Sequence, residues 1–173
     1  MITIIDYGVG NINAFVNVYK RVDVPVKIAK TAADLEGAEK LILPGVGHFD
    51  HAMNQLNNSG MREKLDDLVL NQKIPVIGIC VGMQMMANNS DEGEVEGLKW
   101  IDATVKKFDE TKIHQVTRLP HMGWNDVKPV KDISLFQGLE KEAIFYFLHT
   151  YYFHCNQAQD ILAVSEYGVE FAP

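Results

Sequence analysis

Four short apolar runs set what this chain can fold into. Residues 2–5 (ITII), 24–29 (VPVKIA), 40–43 (KLIL) and 74–79 (IPVIGI) are rich in β-branched side chains. Between them lie helical patterns. Residues 13–22 place Ala14, Phe15, Val18, Tyr19 and Val22 at helical spacing. Thr31 is placed to cap a short helix reaching Glu36. Residues 61–70 put Leu65, Leu68 and Val69 on one face, and a further helix is predicted over 82–87. Strands alternating with helices imply a parallel sheet with crossover helices. Runs with so few polar residues imply a sheet covered on both faces. In such sheets the functional residues gather at the carboxyl ends of the strands. Three loops occupy that position: 6–11, 44–49 and 78–82.

The second half reads differently. Residues 100–108, 124–129, 143–149, 151–154 and 161–167 read as strands with short connections, which predicts an antiparallel β extension to the flavodoxin-like parallel sheet. At 173 residues, without a linker, repeat or low-complexity stretch, the chain reads as one domain, 1–173. Sixteen basic against 23 acidic residues give a net charge of −7, which argues against nucleic acid as a partner. No apolar run approaches the ~20 residues of a membrane span, and the start, MITIIDYGVG, lacks a basic leader region. With Cys80 and Cys155 as its only cysteines, the chain reads as a cytoplasmic protein without disulfides.

The sharpest local signal is Gly78-Ile79-Cys80-Val81-Gly82, a Cys between glycines, directly after an apolar strand and before a helix. This is the cysteine counterpart of a nucleophile elbow. The turn lifts the thiol above the sheet, and a helix N-terminus favours the thiolate. The plainer alternative is a buried, inert cysteine. Pro44-Gly45-Val46-Gly47 also follows a strand and so falls beside the elbow, where its backbone N–H groups could face a developing oxyanion. Leu119 to Asn125 (LPHMGWN) and Phe147 to Tyr151 (FLHTY) carry aromatic, Met and polar residues that suit either packing or recognition.

Taken in order, these segments resemble one family, the glutaminase subunits of imidazole glycerol phosphate synthase, within the triad-type (class I) glutamine amidotransferases. The resemblance also covers Ile4-Ile5-Asp6-Tyr7-Gly8, Met83-Gln84, Ser90-Asp91-Glu92-Gly93 and Tyr167-Gly168, and so spans the chain. It implies the class I amidotransferase fold and L-glutamine as substrate. Cys80 becomes the nucleophile and Gly45, Val46 and Gly47 the oxyanion loop. Gln84, Glu92, Thr150 and Tyr151 fall at positions that hold the α-amino and α-carboxylate groups of glutamine. Pro120, Met122, Gly123 and Trp124 fall on the face towards a (β/α)₈-barrel cyclase subunit. Ammonia released at Cys80 would react there to give imidazole glycerol phosphate and AICAR. No metal or cofactor is implied.

One departure matters. The family carries its catalytic His and Glu in a Phe-His-Pro-Glu-Lys-Ser segment near the C-terminus, and this sequence stops at Pro173 without it. The expectation is a C-terminally truncated member with little activity of its own. His48, beside the oxyanion loop, is the histidine to test as a substitute base, but no general base is assigned within these residues. Two other readings stand beside this one. One is a paralogous amidotransferase supplying ammonia to a sugar-modifying synthase in surface-polysaccharide biosynthesis; the other is a non-catalytic binding subunit.

Overall fold

In the computed structural model, which describes residues 1–116, 118–139 and 143–173, the four apolar runs form one parallel sheet. Its strands are β1 (Ile2–Ile5), β2 (Val26–Ala29), β3 (Lys40–Gly45) and β4 (Val76–Cys80), in spatial order β2-β1-β3-β4. The expected second strand loses Val24 and Pro25 at its start. The third runs past its expected end at residue 43: Pro44 stands opposite Ile79 and Gly45 opposite Cys80. That register brings the two glycine loops side by side.

Helix α1 (Ile12–Arg21) follows β1 and is capped by Asn11, whose side-chain oxygen accepts from the Ala14 N–H at 3.3 Å. Its apolar stripe is present, yet none of its residues is buried, and Val18 stands 55% exposed. Thr31 and Asp34 form a reciprocal pair: the Thr31 hydroxyl accepts from the Asp34 N–H, and Asp34 accepts from the Thr31 N–H. The turn they organise is one turn of 3-10 helix at Ala33–Leu35.

Sequence reading missed α2 (Phe49–Asn58), which starts where only a loop was expected. It packs one apolar face into the core. Phe49, Ala52, Met53 and Leu56 fall at i, i+3, i+4 and i+7 and are fully buried. The predicted helix over 61–70 appears as α3 (Arg62–Asp66), continued by a π turn at Asp67–Asn71. The helix expected over 82–87 is only one turn, α4 (Val81–Gln84).

The rest of the chain forms small sheets. β5 (Asn89–Ser90) lies parallel to β6 (Ala103–Lys107), which pairs antiparallel with β10 (Tyr151–Cys155). β7 (His121–Asp126) and β9 (Ile144–His149) form an antiparallel ribbon, with Met122 opposite Leu148 and Trp124 opposite Tyr146. β11 (Ala163–Glu166) pairs antiparallel with β8 (Lys128–Pro129) and β12 (Glu170–Phe171). The fold is α/β with a largely antiparallel extension, as expected, although the strand at 121–126 begins three residues before its predicted start. Cys155 ends β10 opposite Ala103 and is half-buried. No helix among the described residues is long and apolar enough to cross a membrane.

Candidate active site

Cys80 is the last residue of β4, and its backbone has φ 56° and ψ −123°. A non-glycine residue at positive φ is strained, and such strain persists only where the surroundings hold it. Here the surroundings are glycines. A Cβ on Gly78 would lie 2.5 Å from the Met83 Cα, and one on Gly82 would lie 2.0 Å from the Leu43 carbonyl oxygen. A Cβ on Gly45 would meet the Gly82 nitrogen at 2.3 Å. The end of β3 and the first turn of α4 therefore touch backbone to backbone, and the Cys80 thiol is presented exposed beside Gly45. The strand–turn–helix elbow is therefore formed, and Cys80 is exposed on it, not buried in the core.

The oxyanion-loop candidates continue from there. Gly47 takes φ 88°, a left-handed value that glycine adopts without cost, and Val46 is exposed. Tyr7, which sequence reading did not single out, pins the base of the loop. Its hydroxyl donates to the Pro44 carbonyl at 2.7 Å and touches the Met85 sulfur at 3.4 Å. Burial, reinforced by the nearby Cys80, pushes the Tyr7 phenol above its ordinary range, so it stays a neutral donor.

Two carboxylates join this loop to the segment holding Glu92. Glu92 accepts from the Phe49 N–H at 2.8 Å, at the first turn of α2. In the other direction Asp50 accepts from the Glu94 and Val95 N–H groups, each at 3.0 Å. These bonds hold the Asp50 carboxyl below its usual range against the desolvation that opposes them. Gly93 makes room: a Cβ there would fall 1.9 Å from an Asp50 oxygen. Asp50 is a second residue that single-sequence reasoning had no means to find, because its partners lie more than forty positions away.

Gln84, on α4, is 6% exposed and donates to the Tyr151 carbonyl at 3.3 Å. Burial, with Glu92 and Asp91 close by, raises the Tyr151 phenol. Gln84, Glu92 and Tyr151 are thus gathered at one place. Thr150 sits at the turn before Tyr151, and its carbonyl accepts from the Phe108 N–H at 3.2 Å. Pro120, Met122, Gly123 and Trp124 belong to the separate β7–β9 ribbon and its approach. There Trp124 is 73% exposed and Met122 58%, and Trp124 meets Tyr146 edge-on at 5.6 Å between ring centres.

Among the described residues no side chain is hydrogen-bonded to Cys80. His48 is occupied otherwise: its Nδ1 accepts from the Asp50 N–H at 3.2 Å and caps α2. His121 and His149 are bonded to each other, and His154 is exposed on β10. No group of three or more metal-ligating side chains forms among the described residues.

Cys80 thus stands, strained, between a parallel strand and a helix, beside the glycine loop of the neighbouring strand. The family model described as glutamine amidotransferase class-I matches residues 3–171. Among solved structures, one titled glutamine amidotransferase shares the fold at TM-score 0.69 and 16% identity, covering 98% of this chain and 86% of its own. A glutamine amidotransferase from Thermotoga maritima does so at TM-score 0.56 and 18% identity, over 90% of this chain and 63% of its own. Curated relatives are nearer. Imidazole glycerol phosphate synthase subunit HisH of Bdellovibrio bacteriovorus is 56% identical over 99% of this chain and 84% of its own length. The HisH subunit of Leptospira borgpetersenii is 48% identical over the same shares, and HisH 2 of Pseudomonas aeruginosa is 43% identical over 99% and 83%. The chain belongs to the class-I glutamine amidotransferases and, within them, to the family of HisH subunits of imidazole glycerol phosphate synthase.

Proposed function

We propose that this chain is a glutaminase subunit that opens the side-chain amide of L-glutamine at Cys80 and hands ammonia to a (β/α)₈-barrel cyclase subunit. The observation that carries the reading is the strained Cys80 elbow in register with Gly45. The Cys80 thiolate adds to the amide carbon, and the resulting oxyanion faces the N–H groups of the 45–47 loop. The amide nitrogen takes up a proton and leaves as ammonia, giving a γ-glutamyl thioester. Water adds to the thioester carbonyl, the sulfur departs as thiolate, and glutamate is released. Gln84, Glu92, Thr150 and Tyr151 hold the α-amino and α-carboxylate groups of glutamine. In the complex the ammonia enters the making of imidazole glycerol phosphate and AICAR in the cytoplasm.

The partner docks on the β7–β9 ribbon. Met122, Trp124, Tyr146 and Leu148 form its exposed apolar face, with a Trp at the centre, as interface hot spots favour. Proton transfer to the leaving nitrogen needs a group within hydrogen-bond reach, and no described residue fills that place beside Cys80. Residues 1–173 by themselves therefore turn over glutamine at a negligible rate.

Two measurements test these parts separately. A glutamine analogue with a diazoketone in place of its amide should alkylate Cys80 and spare Cys155, and L-glutamine should slow it. Equal labelling of both cysteines, without protection, would sink the assignment of the site. Glutamate release by residues 1–173 should stay near background with or without the cyclase. Robust release, abolished by Cys80→Ala, would show that a base is present after all.

A further inference from the structure

The inner side of the partner-facing ribbon carries a chain of hydrogen bonds that ends at Gln84. The Asn125 Nδ2 group donates to the Glu166 carbonyl at 2.9 Å and lies 3.3 Å from the His121 Nε2. The His121 Nδ1 lies 2.8 Å from the His149 Nε2. The His149 Nδ1 lies 2.9 Å from the Tyr151 carbonyl oxygen, the same oxygen that accepts from Gln84.

The two ends of this chain fix every proton in it. A carbonyl oxygen only accepts, so His149 carries its hydrogen on Nδ1. A neutral His149 then accepts at Nε2, and His121 must donate from Nδ1. That leaves the His121 Nε2 as an acceptor, facing the amide donor that the Glu166 carbonyl independently orients. Both rings are thus neutral and both are Nδ1–H tautomers. A proton added to either ring would set donor against donor.

The surroundings enforce the same state. His121 is 4% exposed and stacked between Tyr167, at 4.0 Å between ring centres, and Phe147, at 4.9 Å. Phe108 and Phe171 meet both histidines, and Tyr152 packs on Phe108. Apart from the two histidines, Tyr167 and Tyr152 are the titratable side chains of this box, and no carboxylate pairs with either imidazole among the described residues. Burial lowers both histidines, His121 to about 4 with His149 adding to the effect.

The geometry points to a positioning relay: Asn125, His121 and His149 set the Tyr151 carbonyl and through it the Gln84 amide, so the ribbon that meets the partner also aims the glutamine site. The structural half stands on the hydrogen bonds alone; the functional half rests on the proposed roles of Gln84 and the ribbon. Along β7, the exposed Met122 and Trp124 alternate with His121 and Asn125, so a shift of the ribbon moves the relay as well.

The test uses histidine-labelled and glutamine-labelled protein, residues 1–173, by nuclear magnetic resonance at neutral pH. Long-range nitrogen–proton spectra should show His121 and His149 as neutral Nδ1–H tautomers; an Nε2–H tautomer or a cationic ring at either position overturns the relay. His149→Asn keeps a donor where Nδ1 stood, whereas His149→Gln keeps only the outer position. The Gln84 side-chain amide signals should therefore move in His149→Gln and in Asn125→Ala and stay in place in His149→Asn. Equal movement in both His149 variants, or none in Asn125→Ala, overturns it. The glutamine dissociation constant, measured in a Cys80→Ala background, should rise about fivefold in His149→Gln, the weight of one neutral hydrogen bond. It should be restored in His149→Asn. If the Cys80→Ala protein binds no glutamine, the proposed site has failed while the tautomer and amide results still decide the relay.

Discussion

Replacing Gly82 by Ala should damage this protein more than any other single methyl group at its elbow. The new Cβ would fall 2.0 Å from the Leu43 oxygen, 2.8 Å from the Leu43 carbon and 2.9 Å from the Pro44 carbon. The first contact is about 1.4 Å short of the 3.4 Å at which ordinary contact begins. Every obstructing atom is main chain, so no rotamer change relieves the clash. β3 and α4 must separate, and the Gly45–Cys80 register must open with them. Overpacking typically costs ~1–3 kcal/mol, and a backbone-to-backbone clash belongs at the top of that range, about 3 kcal/mol. At ~2–4 °C per kcal/mol for a domain of this size, the melting temperature should fall by about 6–12 °C. Gly37→Ala is the control. Gly37 has φ 70° but nothing within 4 Å of where the added methyl would sit, so the substitution carries only the left-handed strain of ~1–2 kcal/mol. Thermal melts followed by circular dichroism decide the matter. A Gly82→Ala protein that melts no lower than Gly37→Ala would refute the claim that backbone contact holds the elbow closed.

Other expectations follow from the same contacts. Iodoacetamide should alkylate exposed Cys80 well before Cys155, whose thiol burial pushes up, as peptide mass spectrometry would reveal. Asp50→Ala should speed hydrogen exchange at the Glu94 and Val95 amides at least about tenfold, since each loses a charged acceptor. For His121 the folded value of about 4 lies below the unfolded value of 6.5, so its stabilisation is complete above about pH 6.5 and is lost as pH falls towards 4. By pH 5 it should have cost about 2 kcal/mol of unfolding free energy, a slope that urea titrations should find reduced in His121→Asn. Trp124→Ala should weaken the complex with the cyclase subunit by about thirtyfold, as loss of a ~2 kcal/mol hot spot would, without altering the melting temperature of the free chain by more than a few degrees.

The parallel sheet was legible because its strands are nearly pure apolar runs ending at glycine loops, and the elbow was legible because its whole signature is local. α2 was missed although Phe49, Ala52, Met53 and Leu56 are spaced for a helix. The glycine loop before it drew the segment into a turn, and its cap is His48, which is outside the usual capping residues. Residues 121–126 form the ribbon strand, of which 124–126 fell within the expected strand and 121–123 did not, since Gly123 weakens a strand signal; pairing with β9, not composition, makes that first half extended. Of the site, Cys80 and the 45–47 loop lay in recognisable spacing. Tyr7 and Asp50 did not, because their work is done across 37 and more than forty positions and no pattern of a single chain records such pairs.

The Glu92 bond has a mechanical consequence for the oxyanion loop. Gly45 is fixed in the ladder opposite Cys80, with the Pro44 carbonyl held by Tyr7, and Phe49 is fixed by Glu92 at the head of α2. Only residues 46–48 span the gap between these two bearings, and one of them is a glycine at φ 88°. A span that short cannot swing away as a flap. It can turn only as a crankshaft, rotating peptide planes while both ends stay put. Any change in where its N–H groups point is therefore a step between discrete settings, and the carboxylate proposed to greet the amino group of glutamine is also one of the two bearings.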